Sequence, residues 1–419
     1  MQFPSRFFAT AAKGTEALLG EELSELGLPR IRVSRGGVHF GESAEHAYRA
    51  CLWSRIALRI VEALSSFPCR NGDELYAGVK AIDWSPYFQN GQTLAVRAAG
   101  QSPELTHTHF VAMKTKDAVV DQLRERHGTR PSVDRDDPHV LLFVHLARER
   151  ATVNLDYSGG SLHEHGFRVR EGAAPLRETL AAALVRFSGF RGDTPVLDPM
   201  CGSGTLLLEA GAWAARRAPG LARSHFGFER WGTFDEAERR MLARLREEAR
   251  AVERKAPALY GADTDPKALE QTRENAARAG LRVELNAAPI ARQMPSHEGG
   301  ALLANPPYGE RLTQPAGLER DLENLLSRFS SYQRALIVPR SFEVSLPASS
   351  WLEVYNGPLE CEFRRYDPTP GRAQRASLRP SSSPSRDAPK PSSTAPGPRP
   401  TGVGADEPRR LSFRKRQRS

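Results

Sequence analysis

Ala301-Leu302-Leu303-Ala304-Asn305-Pro306-Pro307-Tyr308 is an apolar run that ends on an amide, two rigid rings and an aromatic. Such a run, stopped by a proline pair, reads as a buried strand with its carboxyl end at Asn305. Upstream, Val196-Leu197 leads into Asp198-Pro199-Met200-Cys201-Gly202-Ser203-Gly204-Thr205, a glycine loop between a strand and a helix. Helices are predicted at 176–187 and 205–215, with strands at 196–197, 258–262, 283–285, 302–304 and 335–338. Asp265-Pro266 opens a further helix, with the acid as N-cap and proline in the first turn. This alternation predicts an α/β, Rossmann-like parallel sheet with helices on both faces. The charged stretch 235–255 has helical spacing and is expected to face solvent, in an insertion.

The first 150 residues read differently. Strands are predicted near 7–9, 30–33, 37–40, 93–98, 140–147 and 150–155, and helices at 15–26, 44–52, 73–81 and 116–126. That is an α+β pattern, joined to the α/β part across 157–170. From Pro368 the chain is rich in Pro, Ser, Arg and Gly. It lacks the apolar surface to offset its ordering entropy and is expected to be disordered. It ends in Arg414-Lys415-Arg416-Gln417-Arg418, either a solubilising tail or a source of non-specific RNA affinity.

The formal net charge is +9, and from Gly371 onward 12 Lys/Arg face 3 Asp/Glu. The tail therefore holds the whole excess, and any nucleic-acid surface on the body must be a local patch. No apolar run approaches the roughly 20 residues of a membrane span. The N-terminus has no apolar export core, so a cytoplasmic location is expected. Cys51, Cys69, Cys201 and Cys361 are scattered. Neither a zinc site nor a disulfide framework is expected of them.

In open parallel sheets, ligands sit beyond the carboxyl ends of the strands. Gly202 and Gly204 let backbone approach a ligand there, and the helix opening at Thr205 offers free N–H groups. The loop matches neither a nicotinamide-type fingerprint nor a Walker motif. Asp263, just past Tyr260-Gly261-Ala262, is placed to accept both hydroxyls of a ribose. Cys201 has glycine neighbours and no apparent base, and reads as a small buried residue of the loop. Asp198, Pro199, Cys201, Gly202, Gly204, Thr205 and Asp263 thus form a candidate site for S-adenosylmethionine, with no metal.

An exocyclic amine on a nucleobase is a poor nucleophile because its lone pair is delocalised into the ring. Two acceptors on its hydrogens favour a pyramidal nitrogen as attack proceeds. The Asn305 side-chain oxygen and the Pro306 carbonyl can supply them, with Pro306 and Pro307 keeping both aimed. Tyr308 can stack on the base, worth about 1–3 kcal/mol. The base must leave its stack to enter such a pocket. Cytosine C5 chemistry needs a thiolate, and Tyr308 stands where a Pro-Cys pair would place it. These residues do not choose between guanine N2 and adenine N6, the latter open to DNA as well.

The chain resembles the THUMP-domain guanine-N2 RNA methyltransferases, in particular the RlmL-type enzymes of large-subunit ribosomal RNA and their tRNA-modifying relatives. Leu197–Glu209 and Ala304–Leu312 are similar to that family's glycine loop and NPPYGERL motif. Leu162–Arg168 and Ala174–Ala181 resemble its lead-in segment and first catalytic-domain helix. Phe110–Asp121 and Arg130–Asp134 resemble its THUMP signature.

The resemblance implies a ferredoxin-like segment at 1–60 and a THUMP domain at 61–157. It implies a seven-stranded methyltransferase domain with an antiparallel final strand at 158–367, while the tail read from composition fills 368–419. It further implies the form that carries a single methyltransferase. Lys114, Lys116 and Arg130 lie on a face that is either merely solvated or RNA-binding, and the resemblance implies backbone contacts by these three. After the third strand the family carries an acid near the adenine ring. Here the run is Leu285-Asn286-Ala287-Ala288-Pro289, and Asn286 stands in that place. The implied activity is methyl transfer from S-adenosylmethionine to guanosine N2 in structured RNA, ribosomal RNA before tRNA. Besides adenine N6, the alternative is a non-catalytic RNA-binding ribosome-assembly factor. No protein partner is implied.

Overall fold

A computed structural model describes residues 5–89, 91–128, 130–169, 176–308 and 317–369. Residues 370–419 of the tail, Ala174-Pro175 and the Gly309–Leu312 end of the NPPY motif lie outside these residues.

The N-terminal part runs β1 (Phe7–Thr10), α1 (Glu16–Glu25), β2 (Arg32–Ser34), β3 (Gly37–Phe40), α2 (Ala44–Trp53), β4 (Arg59–Pro68), α3 (Gly72–Lys80), β5 (Thr93–Gly100), α4 (Thr108–His127), β6 (Ser132–Val133), β7 (Val140–Ala147) and β8 (Arg150–Asp156). Its eight strands form one sheet, in the order β2-β3-β1-β4-β8-β7-β5-β6. Strand β4 is absent from the sequence expectations, and the boundary expected at residue 60 lies inside it. Ser65, Ser66 and Pro68 blur its alternation. Its strand character comes from partners on both sides, with Phe7 opposite Glu62 and Val61 opposite Asp156. Helix α4 begins at Thr108, eight residues before the expected start.

The second part runs α5 (Glu178–Phe187), β9 (Val196–Asp198), α6 (Thr205–Ala214), α7 (Glu236–Ala251), β10 (Leu259–Asp263), α8 (Pro266–Arg278), β11 (Glu284–Ala287), β12 (Ala301–Ala304), α9 (Leu318–Arg328), β13 (Gln333–Pro339), β14 (Ser350–Asn356) and β15 (Leu359–Tyr366). The sheet order is β11-β10-β9-β12-β13-β15-β14. Strands β9 to β13 are parallel, and β15 runs antiparallel to both its neighbours. The α/β expectation and the implied antiparallel final strand both hold. Strand order reverses between β9 and β12, the switch point where such sheets bind ligands.

Helix α7 departs from the solvent-facing expectation. Leu242, Leu245 and Ala249 recur at helical spacing and are buried, and the helix packs on α2 of the N-terminal part. Arg244 reaches Glu45 at 3.1 Å. Aromatic rings hold the same junction. Tyr48 stacks on Phe228 with centroids 3.9 Å apart, and Tyr157 meets Trp231 edge-on at 4.8 Å. The two parts are therefore docked through packed aromatic rings at this junction.

Candidate active site

Three parallel strands deliver the site. Leu302 of β12 pairs with Leu197 of β9, and Gly261 of β10 pairs with Asp198. Adjacent strands lie about 4.8 Å apart. The continuations of β9, β10 and β12 therefore place the glycine loop, Asp263 and Asn305 at one sheet end.

The loop is held from behind. Cys201 N–H donates to the Ala262 carbonyl at 2.9 Å, and Gly202 N–H to Asp263 Oδ2 at 2.9 Å. Asp263 Oδ1 accepts from Asp265 N–H at 3.0 Å. Asp265 itself caps α8, accepting from Lys267 N–H at 2.9 Å. Helix α8 clamps the loop further: Thr272 Oγ1 donates to the Gly202 carbonyl at 2.6 Å, and Asn275 Nδ2 to the Ser203 carbonyl at 2.9 Å. Gln293 Nε2 donates to the Pro199 carbonyl at 3.0 Å. Sequence reasoning missed Thr272, Asn275 and Gln293, because each touches the loop from a distant segment.

Gly202 and Gly204 have φ of +53° and +83°, the left-handed region that favours glycine. A Cβ on Gly202 would meet nothing within 4 Å, whereas one on Gly204 would lie 2.8 Å from Thr272 Cγ2. Thus Gly204 is needed for packing, and Gly202 faces open space. Asp198 is 2 % exposed, and its Oδ1 accepts only from Met200 N–H, at 3.2 Å, among the described residues. Burial pushes its carboxyl up to about 8, against the pull of that N–H, and the charge of Asp263 adds to the rise. Cys201 is buried 3.8 Å from Thr272 Oγ1, and burial raises its thiol. Pro199 and Thr205 are buried, and Asn286 is exposed on β11 beside Ala262.

Asn305 is half-buried, but its Oδ1 is fully buried and has no hydrogen-bond partner among the described residues. Leaving such an acceptor unpaired costs about 1–3 kcal/mol. Pro306 is buried, and Tyr308 packs on the core with its hydroxyl accepting from Asn356 Nδ2 at 3.3 Å. The far end of the Tyr308 ring is thereby anchored. Of the basic residues picked out for RNA, Lys114 stands 3.5 Å from Asp73 and 5.3 Å from the Tyr76 ring centroid. Lys116 is 2.6 Å from Asp117 with its side chain mostly covered, and Arg130 is exposed.

Behind the loop lies a buried ion network that no local pattern announces. Glu209 of α6 meets Arg55 of the N-terminal part at 3.0 Å and His165 Nδ1 at 2.6 Å. Glu178 accepts from the His165 N–H and lies 3.4 Å from Arg168, which also donates to Thr205 Oγ1 at 3.2 Å. Ligand atoms of His165, Glu178 and Glu209 lie within 4.8 Å of one another, as in metal sites. Arg55 and Arg168 already pair with the two carboxylates, so the group is built as an ion-pair network. Burial pushes Glu209 up, and His165 and Arg55 more than reverse that.

Three family profiles match in succession: an RlmL ferredoxin-like domain over residues 6–61, a THUMP domain over 69–156, and an RMKL-like methyltransferase domain over 165–346. The solved structure of SMU.472, complexed with SAH, is 30% identical with a TM-score of 0.79. The match covers 88% of this chain and 99% of that one. The chain belongs to the THUMP-containing, RlmL-type methyltransferases.

A Listeria monocytogenes protein described as a predicted N6-adenine-specific DNA methylase is 28% identical over 87% of this methyltransferase and 96% of its own length, with a TM-score of 0.75. TrmN from Thermus thermophilus, at 22% identity and a TM-score of 0.63 over 87% and 99% of the two chains, shares the fold. No helix among the described residues is long and apolar enough to cross a membrane.

Proposed function

We propose that this methyltransferase acts on the exocyclic N2 of a guanosine in structured RNA, with ribosomal RNA as the favoured substrate. The observation that carries the reading is the orphaned Oδ1 of Asn305 at the mouth of the switch point. A buried acceptor kept without a donor is suited to one that arrives with the substrate, and an amino group brings two N–H donors. The Pro306 carbonyl would take the second hydrogen, and Tyr308, anchored through Asn356, would support the base.

The loop fits S-adenosylmethionine, which supplies the methyl group when bound. Gly202 opens onto free space, Asp263 is held at the end of β10, where it would take the ribose, and Asn286 is exposed on the next strand. SMU.472 binds the demethylated form of that donor on a similar chain. Asp198 is a buried carboxyl short of a cationic partner, and the donor's positive charge would ionise it. The THUMP domain supports RNA over DNA.

Adenine N6 is the second reading, favoured by the description of the Listeria protein. Purified protein, labelled donor and unmodified ribosomal RNA, tRNA or DNA, followed by nucleoside mass spectrometry, separate the two. N2-methylguanosine in ribosomal RNA is the expected product. Label in N6-methyladenosine alone would overturn the choice of amine, and label in no nucleoside would leave the non-catalytic alternative.

A further inference from the structure

A cleft of about 810 Å³ opens where the N-terminal sheet meets the methyltransferase part. Arg59 and Arg97 contribute from the first, and Arg223 and Arg278 from the second. Among the described residues, three of these guanidinium groups have no carboxylate within ion-pair distance. Arg97 on β5 is exposed. Arg223 donates to the carbonyls of Ser161 at 3.0 Å and Ser158 at 3.4 Å, and its Nε is buried without a partner. Arg278 donates through Nε to the Gly166 carbonyl at 2.8 Å.

Neutral carbonyls fix a guanidinium in place without cancelling its charge. The other charges of the cleft are largely answered. Arg59 pairs with Asp156 and Arg168 with Glu178, while Asp137 is gripped by both arms of Arg230 at 2.6 and 2.9 Å. Asp136 and Glu164, the remaining acids, are exposed to water.

The cleft also adjoins the site already described. Its wall includes Arg168, bonded to Thr205, and Val169, whose N–H donates to Asn275 Oδ1 at 2.8 Å. Asn275 in turn holds the glycine loop. Because the two parts are docked by buried rings and the Arg55–Glu209 pair, both walls are set before a ligand arrives.

We propose that this cleft seats the phosphodiester backbone of the RNA substrate, with phosphates on Arg97, Arg223 and Arg278. One small anion would serve a single guanidinium, whereas charges placed on two walls suit a polyanion. Lys114, Lys116 and Arg130 lie outside the cleft lining, and the two lysines already have acidic neighbours. This inference rests on the RNA reading given above.

The test uses the full chain and a short fluorescein-labelled RNA hairpin, with anisotropy titrations over a range of salt. Each phosphate contact contributes about 0.7–0.9 to the slope of log affinity against log salt. R97Q/R278Q is expected to flatten that slope by about 1.4–1.8, with calorimetric uptake of S-adenosylmethionine unchanged. The control K114Q/R130Q keeps the wild-type slope, and the basic tail cancels because every variant carries it. Arg97→Gln alone breaks no side-chain bond among the described residues, so it reports even if the double variant folds poorly; it should lose about half the effect.

A wild-type slope in both cleft variants overturns the cleft while sparing the RNA reading. So does a loss confined to the control. A wild-type chain that takes up the donor but binds no RNA defeats both.

Discussion

Replacing Asn305 by Ala separates catalysis from stability, because its side-chain oxygen is buried and, among the described residues, unpaired. In most buried positions, deleting a polar side chain breaks a bond and destabilises the fold. Here no bond is lost at Oδ1, and an uncompensated acceptor worth about 1–3 kcal/mol of cost disappears. Thermal and denaturant midpoints should hold or rise.

Turnover should collapse. Removing one preorganised hydrogen-bonding group aimed at a transition state typically costs about 10²–10³ in kcat, or about 2.7–4 kcal/mol. The amine's hydrogens become more acidic as the methyl group arrives, so the loss falls on kcat with KM for RNA nearly constant. Asn305→Asp retains an acceptor and should recover part of the rate. The assay is single-turnover transfer of labelled methyl to RNA, with RNA and donor binding measured beside it. A kcat within about threefold of wild type, under 1 kcal/mol in the barrier, would refute the role of Asn305. A marked fall in stability would show that its oxygen is satisfied in the folded chain.

Asp198 makes a pH prediction. Its folded carboxyl, at about 8, lies above the ordinary 3.8, so the folded state binds its proton more tightly than the unfolded state. Its contribution is fully present below about pH 4 and is lost as pH rises through about 8. The ligand-free protein should lose stability across that window, and Asp198→Asn should flatten the loss while weakening donor uptake. Calorimetry in buffers of different ionisation enthalpy should find proton release on donor binding near pH 7; none would contradict the assignment. Arg55→Met takes away one of the two basic partners of buried Glu209, leaving His165, and should cost up to about 3 kcal/mol, read by chemical denaturation, with R55M/E209Q recovering part of it. Gly204→Ala forces a side chain into left-handed backbone, at about 1–2 kcal/mol, and against Thr272. A thermal shift and a donor titration should both show the damage.

Local chemistry was readable from the chain alone. Asp265-Pro266 caps and opens α8 as its residue types require, since a cap needs only neighbours a turn away. The strand ending at Asn305, the glycine loop and the alternation around them were legible for the same reason. Side-chain periodicity and backbone stiffness act over a few residues. The longer NPPY and glycine-loop patterns, together with Phe110–Asp121 and Arg130–Asp134, carried the resemblance that implied the THUMP domain and the antiparallel last strand.

Tertiary structure decided what depends on distant partners. Strand β4 exists because β1 and β8 flank it, and α7 is buried along one side because α2 meets it. Glu209 and Arg55 are 154 positions apart, and nothing local in either segment foretells their contact. The same holds for the orphaned oxygen of Asn305 and for the arginine-lined cleft. Whether a polar atom is answered depends on every element packed around it, and only the folded chain brings those elements together.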